Sequence, residues 1–410
     1  MLSNLPFPGV DVKQSWIKIP AAQQTAVPVF AGFCLNGEPG KLYEIVSEDD
    51  FRQQMGAAVF YSEKFKANVE SVLPYALRHY FDNGGRRCFI LNLINAEALS
   101  IADLVKHLTD PALWQSVESQ EEITLIVAPD SIHIPDTDTS SWIRVWQHLL
   151  NVANKCRAHA LLDAPEAADQ VKKCLDTERF LYEECGSVYW PRLLTAYETG
   201  QPAARLYTNN GRQNNIILSA SAAVAALIGL NDLARGTWSA PANLPIAKTI
   251  KPTQKPHKGA GLFNVSSASI NLIRSFPLRG VRIWGCRTLA QGNENNWKLY
   301  IQTHRTALLI EQALKRLCHF SVFEPNTQAT WLKMKGLTMT WLNDLWQKGG
   351  LAGTSASEAY QIYVGLNESM TQDEINNGQL IMHIQVALQR PAEFVSLHLE
   401  FMVEQGRQNA

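Results

Sequence analysis

The chain has 410 residues, which corresponds to two or three domains of ordinary size. Its 37 basic and 38 acidic side chains leave a formal net charge of −1, so charge alone predicts neither nucleic acid nor an anionic membrane as a partner. Because 46% of the residues are hydrophobic and only 18% are charged, the composition excludes an intrinsically disordered chain.

Targeting and redox signals are weak. The most apolar run, residues 216–230, is too short to cross a membrane. The first residues lack the charged and apolar regions of a secretory signal peptide, so we expect synthesis in the cytoplasm. The seven cysteines are scattered and contain no C-x-x-C pair, which favours reduced, buried thiols over a disulfide framework or a zinc site.

The first 25 residues are punctuated by prolines and follow a loose period-two pattern. Val10, Val12 and Trp16 share one face of this pattern, and polar side chains share the other. Two interpretations are open: an arm that pairs outside its own domain, or a frayed terminus.

Strand and helix patterns then alternate. A buried strand is expected within residues 25–35, and Ser47 is placed to cap a short helix. A helix over 64–81 stops at an Asn-Gly-Gly sequence. Further strands are predicted at 87–91, 123–128 and 158–162, with a helix at 142–155. The alternation predicts an α/β layered domain over residues 26–245.

Residues 246–258 have the composition of a linker. Four lysines, Lys248, Lys251, Lys255 and Lys258, stand among prolines without an aromatic residue. Such a segment is either a solvated, extended connector or a basic contact strip, and the sequence favours the connector.

The C-terminal part, residues 259–410, has its own pattern. Strands are predicted at 281–286 and 297–303, and a helical stripe follows at 309–317. A longer helix is predicted over 327–347. Residues 380–387 alternate, and residues 393–403 alternate more strictly, which predicts a last strand with one apolar face.

Motifs of enzymes are mostly missing from the sequence. No G-x-S-x-G, H-E-x-x-H or G-x-G-x-x-G motif occurs, and no histidine pair has the spacing of helical metal ligands. Asp130, Asp136 and Asp138 could bind a cation, although a solvated polar loop is the simpler interpretation. The alternative function from the residues alone is therefore a soluble cytosolic α/β enzyme with an unrecognised site in residues 123–140.

Two runs resemble segments of the subunits that form contractile tail sheaths. Residues 231–243 (NDLARGTWSAPAN) are similar to the family's D-x-x-x-G-x-W-x-A-P-A-N segment. Residues 279–289 (RGVRIWGCRTL) are similar to its G-x-x-x-W-G-A-R-T-L segment, with Cys286 in place of alanine. The likeness continues in order through His304–Arg305, residues 322–326 (VFEPN), 349–353 and 391–394 (PAEF), and it is sparser at residues 81–85 and 189–191.

The chain thus resembles the contractile tail sheath family, most closely the sheath subunits of extracellular contractile injection systems of the antifeeding-prophage or Photorhabdus virulence cassette type. This resemblance implies a mixed α/β, multi-domain sheath-subunit fold with extended N- and C-terminal strand arms. It also implies a structural role without catalytic or metal-binding residues and without cofactors: stacked sixfold rings around an inner tube, which contract to drive the tube through a target envelope.

The partners that the resemblance implies are other sheath subunits of the same or a related chain, an inner tube protein, and baseplate and tail-terminator components. It implies neither nucleic acid nor membrane insertion. The subunit would be made in the bacterial cytoplasm and would act in a tail-like particle that is released from the cell.

We expect four parts: an N-terminal arm (1–25) that packs with the C-terminal domain and neighbouring subunits, an outward-facing α/β domain (26–245), a linker (246–258) and a tube-proximal domain (259–410). Residues expected in inter-subunit strand exchange are Val10, Val12, Trp16, Phe394, Val395, Leu397, Leu399 and Phe401. Lys333, Lys335 and Lys348 are expected to face the tube, unless the helix over 327–347 is a core helix with solvated lysines.

Overall fold

The computed structural model describes residues 25–57, 59–62, 67–93, 101–177, 179–198, 215–255, 262, 268–292 and 296–391. The strands are β1 (Pro28–Gly32), β2 (Leu42–Ile45), β3 (Val59–Ser62), β4 (Ala67–Glu70), β5 (Cys88–Asn92), β6 (Leu125–Val127), β7 (His159–Asp163), β8 (Gly186–Trp190), β9 (Leu193–Glu198), β10 (Asn215–Leu218), β11 (Thr249–Pro252), β12 (Asn271–Phe276), β13 (Gly280–Trp284), β14 (Tyr360–Tyr363) and β15 (His383–Val386). The α-helices are α1 (Glu48–Gln54), α2 (Leu73–Asp82), α3 (Ile101–Leu108), α4 (Gln115–Glu118), α5 (Thr139–Cys156), α6 (Ala168–Thr177), α7 (Ser221–Arg235), α8 (Ile301–Cys318), α9 (Gln328–Gln347), α10 (Ala356–Ala359) and α11 (Gln372–Asn376).

An eight-stranded sheet forms the centre of the larger part of the molecule. Its strand order is β13-β12-β8-β7-β6-β1-β5-β2. The strands from β12 to β5 run parallel, and an antiparallel strand closes each edge. The central strands are buried along their whole length, as expected for parallel strands that are covered by helices on both faces.

Two hydrophobic cores lie on the two faces of this sheet. One face packs against α3, α5 and α6 and buries Trp114, Trp142 and Trp146. The other face packs against α1, α2 and α7. The small residues of α7 allow it to lie close to the strands. Full burial of each large apolar side chain stabilises the fold by about 1.5–3 kcal/mol, so these two layers hold the sheet rigidly.

A smaller module follows the sheet. Helices α8 and α9 pack against the antiparallel pair β14–β15 around a third core that contains Ile310, Leu342 and Leu345. Trp238, which lies after α7, packs against the same core and links the module to the large domain. The mixed α/β class predicted from the sequence is therefore confirmed.

Several predicted elements are confirmed at or near their expected positions. Ser47 caps α1, because its side chain accepts a hydrogen bond from the Asp50 backbone N–H. Strands β1, β5, β6, β7, β13 and β15 and helices α5, α8 and α9 lie within or close to the predicted segments. No disulfide joins the cysteines, and six of the seven are buried.

The helix predicted over 64–81 is wrong at its start. Residues 67–70 form β4, which pairs antiparallel with β3, and α2 begins only at Leu73. Pro74 stands in the first turn of α2, a position that proline favours because its missing N–H has no helical partner there. Pairing with β3 overrides the local helix pattern of the residues before it.

The strand predicted over 297–303 is also wrong. Trp297–Leu299 forms a 3-10 turn, in which the Asn296 side chain accepts a hydrogen bond from the Lys298 backbone N–H at 3.1 Å. Residues from Ile301 onward belong to α8. Aromatic and β-branched residues favour strands, which is why the pattern predicts one here. The turn that Asn296 caps instead leads directly into α8.

The boundary expected at 246–258 is misplaced. Part of that segment forms β11, which pairs with β9, and Ile246 is buried in the core of the large domain. After it, β12 and β13 return to the large sheet. A solvated connector therefore does not describe residues 246–252. The large domain extends at least to Trp284, and the chain passes into the smaller module through α8.

Candidate assembly site

The pair β14–β15 is a two-stranded sheet whose residues are all exposed or half-buried. Tyr360 pairs with Val386 and Tyr363 with His383, and inward and outward side chains alternate along both strands. Within residues 296–391 no further strand joins this sheet. A two-stranded sheet is marginal by itself, and an unpaired edge can accept a strand from another chain. This geometry makes β14–β15 a candidate acceptor of an exchanged strand.

Helix α9 covers the inner face of this module. Met334, Thr338 and Leu345 lie on the stripe that the sequence indicates, and all three are buried. On the outer side, Leu332 and Met339 are exposed. The apolar stripe is thus part of the module's core, and only the opposite side of α9 is available to a partner.

The three lysines expected to face the tube differ in their surroundings. Lys335 lies 3.2 Å from a Glu368 carboxylate oxygen, and Lys348 lies 2.6 Å from one of Asp344. Lys333 instead places its ammonium group 4.1 Å from the centre of the Phe320 ring. Of the three, Lys333 alone has no carboxylate partner among the residues of the described module. It is therefore the cation most available to an external acidic surface.

The turn between α8 and α9 carries a fully exposed aromatic side chain. Phe323 has a φ of 69° and a relative exposure of 102%, and the Glu324 N–H donates to the Ser321 carbonyl at 3.1 Å. Val322 has the φ of −65° and ψ of 123° typical of the second residue of a type II turn. Phe323 thus stands where glycine is usual, with its ring in solvent.

A buried ion pair joins α8 to the large domain. The Arg305 guanidinium contacts both carboxylate oxygens of Asp232 in α7, at 3.0 and 2.6 Å. It also donates to the Thr25 carbonyl at 2.7 Å, and the Thr25 hydroxyl donates to Asp232 at 2.6 Å. Both charged side chains are at most 4% exposed. This bidentate pair fixes the orientation of α8 relative to α7 and to the start of β1.

Two histidines meet beneath α8. His159 in β7 and His304 in α8 place their Nδ1 atoms 3.4 Å apart, and His159 Nε2 lies 2.8 Å from the Ser187 hydroxyl. Burial lowers the pKa of His159 well below its ordinary value. Burial, opposed by Glu184 but aided by neighbouring cations, lowers the pKa of His304 to about 4. Both rings are therefore neutral at neutral pH.

Replacing His304 by glutamine should flatten the pH dependence of stability. In the unfolded chain His304 binds a proton below its ordinary pKa of 6.5, but in the folded chain only below about 4. The folded state therefore loses stability as the pH falls through that window. Between about pH 7 and pH 5, the wild type should lose on the order of 2 kcal/mol more than His304→Gln. Urea unfolding at the two pH values measures this loss of stability, and His319→Gln, which replaces an exposed histidine, is the control. If the wild type and His304→Gln lose the same stability between the two pH values, the prediction is wrong.

Known structures match the chain almost from end to end. A chain of the anti-feeding prophage baseplate in its contracted state is 30% identical, with a TM-score of 0.81; the match covers 97% of this chain and 99% of that one. A chain of the anti-feeding prophage helical sheath in its contracted state is 29% identical (TM-score 0.69; 96% and 98% covered). A chain of the PVC sheath complex of an extracellular contractile injection system, also contracted, is 26% identical (TM-score 0.68; 98% and 99% covered).

The chain belongs to the contractile sheath family. No family model matches it, and no curated protein matches it. The three chains that this sheath protein matches come from baseplate and sheath structures rather than from enzymes.

In residues 123–140 of the sheath protein, where an enzyme site was the alternative, the three aspartates have partners within the fold. The buried Asp130 carboxylate accepts hydrogen bonds from the Phe33 and Val72 backbone N–H groups at 2.9 and 2.8 Å. Asp136 pairs with an arginine at 2.9 Å, and Asp138 caps α5. The expectation of a solvated loop is thus wrong for Asp130. Across the described ranges, no group of three or more His, Cys, Asp or Glu is placed to hold a metal ion.

Some predicted site residues of the sheath protein lie outside the described residues. These are the strand-exchange residues Val10, Val12, Trp16, Phe394, Val395, Leu397, Leu399 and Phe401. Within the described part, no helix is long and apolar enough to cross a membrane. Sequence reasoning gave no role to Phe323 or to the Arg305–Asp232 pair, although all three residues stand in segments that resemble the family.

Proposed function

We propose that this protein is a structural subunit that assembles as stacked sixfold rings around an inner tube, and that the rings contract to drive the tube through a target envelope. The observation that carries this proposal is the end-to-end match, at 30% identity, to a chain of a contracted injection-system baseplate. We further propose that the subunit has no catalytic activity and no cofactor, and that it acts in a particle released from a bacterial cell.

Negative-stain microscopy of the full chain, alone and co-expressed with its tube protein, tests this function. Striated hollow cylinders of regular width are the expected result. Uniform small particles under both conditions would contradict a role as the bulk sheath subunit. They would leave a specialised, baseplate-proximal paralogue or the enzyme alternative, because an enzyme remains a defined oligomer.

The partners follow from the same proposal. Copies of this chain and of related sheath chains would surround the tube, and baseplate and terminator components would bind the two ends. Quantitative mass spectrometry of particles would place the subunit along the tail. A baseplate-proximal subunit keeps a constant copy number in particles of different length, whereas a subunit of the bulk sheath increases in number with length.

Strand exchange would supply the connections between copies. The outer edges of β14 and β15 provide backbone groups for an added strand, and each hydrogen bond would contribute about 0.5–1.5 kcal/mol net. A single exchanged strand is then a modest link, but a lattice of many such links is strong. The links can persist during contraction if the chain beside each arm acts as a hinge, and Pro20 and Pro391 mark the candidate hinges.

Charge reversal at Lys333 should weaken assembly on the tube. Its ammonium group has no carboxylate partner within the described module, so it can contact an acidic tube surface. Each such contact is worth only about 0.2–1 kcal/mol and is screened by salt, which suits a grip that must be released. Co-sedimentation of Lys333→Glu with the tube protein at moderate salt measures the effect.

The matched control for Lys333→Glu is Lys335→Gln, because Glu368 already neutralises Lys335. This control should retain most of the tube-bound fraction. Unchanged assembly of Lys333→Glu on the tube at moderate salt would remove the tube-facing role of α9.

A further inference from the structure

The corner of the large sheet at β11, β12 and β13 is strongly basic. Strand β11 lies against both strands of the β12–β13 hairpin. Six cations lie on these strands and the turns beside them: Lys248, Lys251, Lys255, Arg274, Arg279 and Arg282. Five are exposed and Arg282 is half-buried. None of the six forms an ion pair within the described residues, whereas the surface cations Lys41, Lys155 and Lys298 each have a carboxylate partner.

Exposed apolar side chains lie among these cations. Ile250 and Trp284 are exposed, and the Arg274 guanidinium lies 5.3 Å from the centre of the Phe276 ring and 6.0 Å from that of Trp284. Phe276 and Trp284 themselves are in contact, with ring centres 4.7 Å apart. Arginine and tryptophan together are typical of the residues that contribute most to protein–protein contacts.

The tip of the β12–β13 hairpin is unusual. The Arg279 N–H donates to the Phe276 carbonyl at 3.2 Å, which closes a turn through Pro277 and Leu278. Leu278 has a φ of 60° and a relative exposure of 107%. Glycine or asparagine is usual at this third position of such a turn, because a branched side chain is strained at positive φ. Among the described residues no packing offsets the strain at Leu278, whose side chain is fully exposed, and this points to a contact outside the subunit.

The outer edge of β13 at this corner cannot take up an added strand. The outer edge of β13 is covered by residues 243–246, because the Asn243 and Ile246 N–H groups donate to the Ile283 and Val281 carbonyls at 2.7 and 2.9 Å. No added strand can pair there. This distinguishes the β13 edge from the β14–β15 edges, where a strand can be added.

We propose that this basic corner, residues 248–255 with 274–284, is a contact site for a second copy of this chain. The proposal rests on the proposed sheath function, which requires repeated contacts between copies. The whole chain has a formal net charge of −1, so removing the six cations from the count leaves −7 for the rest. Outside its own basic corner a second copy therefore carries a net negative charge, the sign that complements the corner.

The contact must join different surfaces of the two copies. Two basic corners facing each other would repel, so a symmetric dimer through this corner is unfavourable. A contact between the basic corner of one copy and an acidic surface of the next is heterologous. Heterologous contacts generate closed rings or helical filaments, which are the assemblies that a sheath requires.

The variant Leu278→Gly tests this contact without destabilising the fold of the subunit. Glycine adopts positive φ without strain, so the thermal midpoint of the subunit should be unchanged or higher. Self-association of the full chain, measured by sedimentation velocity over a range of concentrations, should weaken at least tenfold. Leu181→Ala removes an exposed leucine elsewhere and should leave self-association unchanged. If Leu278→Gly self-associates as strongly as the wild type, the proposal is wrong.

Charge reversal tests the heterologous geometry. The double variant Lys251→Glu, Lys255→Glu should not polymerise alone but should retain the acidic surface that receives a basic corner. Small amounts of it should therefore cap wild-type polymers and shorten them. If the double variant polymerises as the wild type does, or leaves wild-type length unchanged when mixed, the proposal is wrong.

The outcomes separate the corner from the sheath function. If the wild type and both corner variants build normal sheaths with the tube protein, the corner proposal fails and the sheath function stands. If the wild type neither self-associates nor builds sheaths, both fail. Binding of wild type, but not of Leu278→Gly, to a short DNA duplex or to phosphatidylserine vesicles in place of a second copy would also overturn the corner proposal.

Discussion

Replacing Arg305 by methionine should lower the free energy of unfolding by about 3–5 kcal/mol, because it leaves the buried Asp232 carboxylate without its cation. Methionine fills a similar volume, so the loss reports the uncompensated charge rather than a large cavity. Chemical unfolding of the full chain, followed by tryptophan fluorescence, measures the shift. A loss below about 1 kcal/mol would contradict the view that this pair holds α8 in place.

Two controls sharpen this expectation. Arg157→Met removes an arginine that pairs at 2.9 Å with Glu311, a residue of α8. Here the two side chains are 51% and 50% exposed. The free energy of unfolding of this variant should fall by at most about 1 kcal/mol. The double variant Asp232→Leu, Arg305→Met should recover much of the stability, since a buried ion pair can often be replaced by apolar residues of similar volume.

The Arg305–Asp232 pair also gives a physical reason for two segments that resemble the sheath family. Asp232 stands near the start of the segment over 231–243, and Arg305 follows His304 in the H-R pair. Within the first segment, Gly236 has a φ of 89°, and a Cβ atom there would lie 2.3 Å from the Trp238 ring. These residues join α7, α8 and the smaller module, so they define how the two parts of the subunit are held together.

The sequence predicted the layered core because its signals are local. Strands such as β1 and β6 are continuous apolar runs, and Ser47 is followed at the correct spacing by Asp50. The resemblance of these segments is enough to indicate the correct family. Features that depend on two close segments of the chain, such as apolar periodicity or a cap, could be predicted in this way.

Features that depend on contacts between distant segments of the chain could not be predicted from the sequence. Asp232 and Arg305 are 73 residues apart, and nothing near either residue indicates that they pair. Residues 249–252 have the composition of a linker, and only pairing with β9 makes them a strand. The Leu278 turn lacks the glycine that usually marks such a conformation, so its positive φ had no sequence signal.

Deleting residues 1–19 should leave a subunit that folds but cannot build a sheath. The described core begins at Thr25 and Val27, so the thermal midpoint should change little. Assembly should fail because the exchanged arm no longer pairs with a neighbouring subunit. Negative-stain microscopy with the tube protein decides between these outcomes, and normal sheaths from the truncated chain would show that the arm is not an exchanged strand.

The last strand allows a sharper test of the same exchange. Leu397 and Leu399 lie on the apolar face predicted for residues 393–403, and His398 and Glu400 lie on the polar face. Leu397→Ser with Leu399→Ser should abolish assembly, since it removes the face that a neighbouring subunit would bury and that fixes the register of pairing. His398→Ser with Glu400→Ser changes the same length of strand and should be tolerated. Normal assembly by the variant Leu397→Ser with Leu399→Ser would mean that the apolar face is not buried against a neighbour, and the C-terminal exchange would then be wrong.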